Sequence, residues 1–119
     1  MKKIFIAIML LLSFAQCASS DVFPAERVVR FPRGSVARRE RYNLYFNCTG
    51  ADREVKNISV TGVTTDKATV SHSVHQGTNG MGKYLELIPM GGPGTVHMTV
   101  TATGDSGRSN RTVIEIIVE

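Results

Sequence analysis

Three histidines, two cysteines, one Asp-Ser-Gly and one glycine-rich run are the groups in this 119-residue chain whose types could carry chemistry. His72 and His75 are three apart, which on a strand sends them to opposite faces, so a shared metal would need the strand to break. His97 lies on another segment, and no Cys or carboxylate joins these histidines at ligand spacing. They read as surface histidines. Asp105-Ser106-Gly107 has turn chemistry, and no Gly-x-Ser-x-Gly elbow surrounds Ser106. The run Gly77, Thr78, Asn79, Gly80, Met81, Gly82 does not close on Gly-Lys-Ser/Thr, because Gly82-Lys83 is followed by Tyr84. It reads as a hairpin loop and a candidate recognition loop, not a phosphate cradle. The acidic residues are scattered. No catalytic apparatus and no cofactor motif is legible, so the chain is expected not to be an enzyme.

The cysteines turn on the N-terminus. Lys2 and Lys3, an apolar run from Ile4 to Leu12 and the small, weakly polar Ser13 to Ser20 form a secretory signal over residues 1–20, too short to span a bilayer. Cleavage after Ala15 keeps Cys17, and cleavage after Ser20 discards it. Phe14-Ala15-Gln16-Cys17 also resembles a degenerate lipobox, in which Cys17 would be the acylated first residue of a bacterial lipoprotein. If Cys17 survives unacylated, a Cys17 to Cys48 disulfide is open to it in an oxidising compartment. Otherwise Cys48 is alone and reads as a small, buried hydrophobe. The expected location is exported: periplasmic, anchored to the outer membrane, or secreted. Membrane contact is expected only through such a lipid anchor.

Residues 21–119 remain as one domain, enough for a modest core. The formal charge of +4 falls to +2 once Lys2 and Lys3 leave with the signal. Arg27, Arg30, Arg33, Arg38, Arg39 and Arg41 sit against only Glu26 and Glu40, a local charge of +4. Charges of this kind commonly guard an edge strand against pairing. Their functional alternative is contact with an anionic partner, such as lipid head groups, a cell-surface glycan or an acidic protein. Export makes nucleic acid the least expected of these, and no nucleic-acid partner is expected. Tyr42, Tyr45 and the two Phe-Pro pairs could add stacking or edge pairing to that surface. Three glycosylation sequons, at Asn47, Asn57 and Asn110, would matter only in a eukaryotic source.

The elements that must carry these groups have a period of two almost throughout. Strands are expected at Val28 to Phe31, Tyr42 to Cys48, Asn57 to Val63, Ala68 to Val74, Lys83 to Ile88, Thr95 to Thr103 and Ser109 to Val118. Tyr42, Leu44, Phe46 and Cys48 share one face. Val96, Met98, Val100 and Ala102 point inward, as do Ile114, Ile116 and Val118. Asn79-Gly80 is the strongest hairpin signal, Pro89 is expected to end its strand, and no stretch of ten residues keeps a helical period. About seven half-buried strands require an all-β, two-sheet antiparallel sandwich, with a small barrel as the competing closure.

From Tyr84 to Val118, the run Tyr-Leu-Glu-Leu-Ile-Pro, Val-His-Met-Thr-Val-Thr-Ala-Thr and Val-Ile-Glu-Ile-Ile-Val resembles the end of the Ig-like and cadherin-like repeats of bacterial surface proteins. The resemblance implies an immunoglobulin-like sandwich and a binding, adhesion or spacer role. The acidic calcium motifs of cadherins are missing, and the usual turn-opening Asp is displaced by Gly104. The loops Gly77 to Gly82 and Gly91 to Gly94 resemble those of chagasin-like cysteine-protease inhibitors, whose Asn-Pro-Thr-Thr-Gly signature this chain lacks. The expected function is therefore an exported Ig-like binding or adhesion module. Alternatives are a secreted hydrolase inhibitor and an assembly component of a pilus, secretion or envelope complex, its arginine-bearing first strand pairing onto a neighbour.

Overall fold

Strand after strand alternates a buried with an exposed residue, and the chain closes those buried faces on one another. The computed structural model describes residues 21–119 apart from Ala51 and Asn79. The signal segment, Cys17 and Asn79 thus lie outside the described residues. In chain order the elements are β1 (Val22–Pro24), β2 (Val28–Phe31), a single helical turn α1 (Ser35–Arg38), β3 (Tyr42–Leu44) and β4 (Phe46–Cys48). They continue with β5 (Val55–Asp66), β6 (Thr69–Gln76), β7 (Lys83–Gly91), β8 (Gly94–Gly104) and β9 (Ser109–Val118). One sheet has the order β2-β9-β8-β5 and another β3-β7-β6, while β1 pairs with β4. All pairings are antiparallel except β2 with β9.

The core lies between the sheets. Val96, Met98, Val100 and Ala102 of β8 and Ile114, Ile116 and Val118 of β9 are buried on one side. Leu85 and Leu87 of β7, Leu44 and Phe46 are buried on the other, with Val29, Phe31 and Ile58 completing a continuous cluster. A fully buried Val, Leu or Ile contributes about 1.5–3 kcal/mol over an exposed one, which is why alternation decides the register. The cleanest alternation in the sequence, Val96 to Ala102, lies on the strand with the most buried residues. The molecule is all-β and sandwich-like.

Four details differ from the pattern. β1 is a three-residue strand with Pro24 at its end, too short to alternate legibly, and β4 defines it by pairing Val22 with Cys48. The expected Tyr42 to Cys48 strand is interrupted at Tyr45, where β3 pairs with β7 and β4 with β1. β5 runs on through Thr64, Thr65 and Asp66, all exposed, because their ladder with His97, Val96 and Thr95 of β8 holds them. β7 passes through Pro89 to Gly91. Its pairing with β3 stops at Leu87, so Pro89 faces a ladder on one side only, where its missing N–H is tolerated.

The parallel pairing of β2 with β9 orients the molecule. β9 starts at the β8–β9 turn and ends with Val118 beside Phe31. Residues 33–39 therefore cap one end of the strands, and the β8–β9 turn belongs to the other.

Candidate functional site

Three connections meet at the β8–β9 end: residues 49–54 between β4 and β5, Gly77–Gly82 between β6 and β7, and residues 105–108 between β8 and β9. Reciprocal hydrogen bonds join the first to the third. The Ser106 N–H donates to Asp52 Oδ1 at 2.6 Å, and the Arg53 N–H donates to Asp105 Oδ1 at 2.9 Å. Asp52 is only 5 % exposed. Its carboxyl rests on Gly104, where an added methyl group would come within 2.7 Å of Oδ1. Glycine at 104 is what lets the Asp52 side chain lie across the end of β8.

Asp105 is held below the usual carboxylate range, chiefly by the Arg53 N–H that it accepts. Two side chains that accept each other's loop amides satisfy donors that the turns leave unpaired. They also hold two recognition-length loops in one arrangement. Asp52 Oδ2 has no hydrogen-bond partner among the described residues.

The β6–β7 loop joins this pair from the side. The Gly77 N–H donates to the Gly82 carbonyl at 2.7 Å, closing the loop on itself. Gly82 has φ +77°, and a Cβ there would lie 2.7 Å from the Val55 nitrogen, so only glycine lets this loop press against the start of β5. Thr78 and Met81 remain exposed at the tip, Met81 by 53 %. The expected recognition loop is thus the hairpin connection between β6 and β7, backed by two further loops.

Cys48 closes β4 beneath the same end. Its thiol is pushed up by burial and further by Asp52, Asp105 and Glu54, which disfavours the thiolate that nucleophilic chemistry needs. It has no disulfide partner among the described residues. Asp21, where the described chain starts, lies beside Thr49, its N–H donating to Thr49 Oγ1 at 3.2 Å.

The arginines do not gather into one patch. Arg27 lines a shallow cleft of about 210 Å³ with Asp21, Val22, Phe23, Asn110, Arg111 and Thr112. Arg30 pairs with Glu119 at 3.3 Å, Arg38 with Glu40 at 2.8 Å and Arg41 with Glu86 at 3.1 Å. Arg33 and Arg39 are exposed at the α1 end, and neither forms an ion pair among the described residues. Three of the six charges are therefore neutralised locally. β2 is indeed an edge strand, and Arg30 is the charge on it.

On the outer face of β3-β7-β6, the rings of Tyr45 and Tyr84 lie 4.8 Å apart and those of Tyr84 and His75 5.6 Å apart. Glu86 beside them accepts from Arg41 and from Ser73 Oγ at 3.3 Å. His75 Nε2 is 2.9 Å from Ser73 Oγ and 3.3 Å from Glu86 Oε1. Serine and carboxylate approach the same ring nitrogen, so the imidazole cannot relay a proton from one to the other as a nucleophile triad requires. The group ties three strands together. Tyr42 bonds Glu26 through its hydroxyl, and burial, reinforced by that carboxylate, pushes the phenol up to about 12.

His72 faces inward on β6 and His75 outward, while His97 is exposed near Glu115 on the other sheet. No group of three or more His, Cys, Asp or Glu side chains that could hold a metal ion comes together among the described residues. No family model, curated protein or solved structure matches this chain.

Proposed function

We propose that this chain is an exported immunoglobulin-like binding module that engages a protein, glycan or lipid partner at the cell envelope or outside the cell. The strand order supports the fold reading. Taking β3 and β4 as one interrupted strand, β1, β3/β4, β7 and β6 fall in the order A, B, E, D, and β5, β8 and β9 in the order C, F, G. That is the division of a constant-type immunoglobulin sandwich, with β2 added alongside the last strand. The lysine-headed apolar segment at residues 2–12 supports export.

The observation that carries the binding reading is the β8–β9 end, where three loops from different strand pairs are locked together around Asp52, Asp105 and Gly82 while Thr78 and Met81 stay exposed. Rigid loops on a rigid scaffold lose little entropy on meeting a partner, which is what a recognition surface requires. The opposite end carries the α1 turn, whose charges are half paired, and only the short β5–β6 and β7–β8 turns.

The test is site-specific photo-crosslinking in the native host, with the probe at Met81, at Arg33 or at Val113. Met81 should capture a discrete envelope or extracellular species and Val113, exposed on β9 away from the loops, should not. Equal capture from both positions, or none from Met81 with capture at Arg33, removes the loop end as the binding surface.

A further inference from the structure

The two longest exposed edges lie in consecutive strands on the same flank; β5 carries Lys56 and Asp66, and β6 carries no Lys, Arg, Asp or Glu. β5 ends one sheet and β6 the other, while the far edge, β2, presents Arg30 paired with Glu119. β6 contains no Lys, Arg, Asp, Glu or Pro, and all of it except Val70 is exposed. β5 has a register shift between Val60 and Gly62, a bulge of the kind that blunts an edge, whereas β6 keeps unbroken register with β7 from Val70 to Gln76. Of the two, β6 is the edge that can accept a strand.

The core is open beside it. Val74 faces inward on β6, in register with buried Leu85, yet is 38 % exposed. Val63 of β5, in register with buried Met98, is 44 % exposed.

We propose that β6 pairs antiparallel with β6 of a second copy, joining two three-stranded sheets into one of six strands. The strand is complementary to itself. About a two-fold axis at Ser73, His72 would face Val74 of the other copy, Ser71 would face His75, and Val70 would face Gln76, with no like-charged pair opposed. The inward row of each copy then covers the open flank of the other. Glu86, the carboxylate beside Ser73 on the outer face, is already held by Arg41, Ser73 and His75, so it presents no unpartnered charge to the incoming strand. This pairing leaves the β4–β5, β6–β7 and β8–β9 loops free, so it stands apart from the reading of the loop end.

Sedimentation velocity over a range of concentrations, on the chain as recovered from its exporting host, tests this directly. A monomer–dimer equilibrium is expected. Val74→Lys, an inward charge on the edge, should weaken it by at least about tenfold, while Val113→Lys should leave it unchanged. Amide exchange on the unmutated protein gives a readout that does not depend on the variant folding, and residues 70–76 should exchange more slowly as concentration rises. A chain that stays monomeric throughout, a dimer indifferent to Val74→Lys, or β6 protection that follows a co-purifying protein and not concentration would overturn the self-pairing.

Discussion

Gly104→Ala offers a sharp perturbation of the loop clasp, because the added methyl group has one named obstacle. It would sit within 2.7 Å of Asp52 Oδ1 and contact the same carboxyl at Cγ and Oδ2, on a buried residue at the end of β8. Forcing a methyl group into a filled site costs about 1–3 kcal/mol. For a domain of this size each kcal/mol lowers Tm by about 4–8 °C, so a fall of roughly 5–20 °C is expected. Asp52→Ala alone removes the acceptor of the Ser106 N–H and costs about 1–3 kcal/mol. In the double variant the obstacle is gone, so its cost should stay close to that of Asp52→Ala alone. The coupling energy would then nearly equal the whole cost of Gly104→Ala. Thermal unfolding followed by far-UV circular dichroism on the four proteins measures the cycle. Additive losses, or a Gly104→Ala protein melting within about 1 °C of the parent, would mean that Asp52 does not lie across β8 and that the two loops are not locked.

Asp105 is held below its ordinary range in the fold by the Arg53 N–H, so its contribution to stability is present above that range and is lost as pH falls through the folded value. Asp105→Asn should therefore flatten the acid limb of a Tm against pH curve, and an unchanged limb would argue against that hydrogen bond. Tyr42, with a phenol at about 12 against 10.0 unperturbed, should add a late ionisation step to an ultraviolet titration that Tyr42→Phe removes. The unfolded chain releases that proton first, so Tyr42 contributes to the loss of stability between about pH 10 and 12, and Tyr42→Phe should remove that part. The Cys48 thiol, raised chiefly by burial, should alkylate more slowly in the folded protein than in urea. Asp52→Asn should speed it only slightly; a large acceleration would show that charge, not burial, is the main cause.

Most of the scaffold was legible because it rests on alternation. Val96 to Ala102 and Ile114 to Val118 fall on the buried faces that their period assigns, and His72 and His75 face opposite ways as their spacing requires. What escaped is held by partners far along the chain. β1 exists through β4, the polar end of β5 through β8, and the passage of β7 through Pro89 follows from where β3 stops. The loop Gly77–Gly82 stood out by its glycines, but its neighbours at the loop end did not. Asp52 and Asp105 are separated by more than fifty positions, and each looks like an ordinary turn residue until β4–β5 and β8–β9 are brought side by side. The only local trace was Gly104 before Asp105, a glycine that makes room for the Asp52 carboxyl. The arginines were conspicuous as a run, yet strand geometry distributes them over a cleft, an edge, a sheet face and a helical turn.

On the proposed reading, the β8–β9 end, and not the arginine end, recognises a partner. Equilibrium binding of the fluorescently labelled protein to intact cells and envelope fractions of its source tests it most directly, using charge variants at either end that leave Tm unchanged. Thr78→Glu with Met81→Glu should weaken binding by at least about tenfold, as expected of exposed residues at the centre of a contact. Arg33→Glu with Arg39→Glu should leave it within about twofold, the range of a residue outside the contact. The reverse ranking would contradict the account and assign recognition to the arginine end.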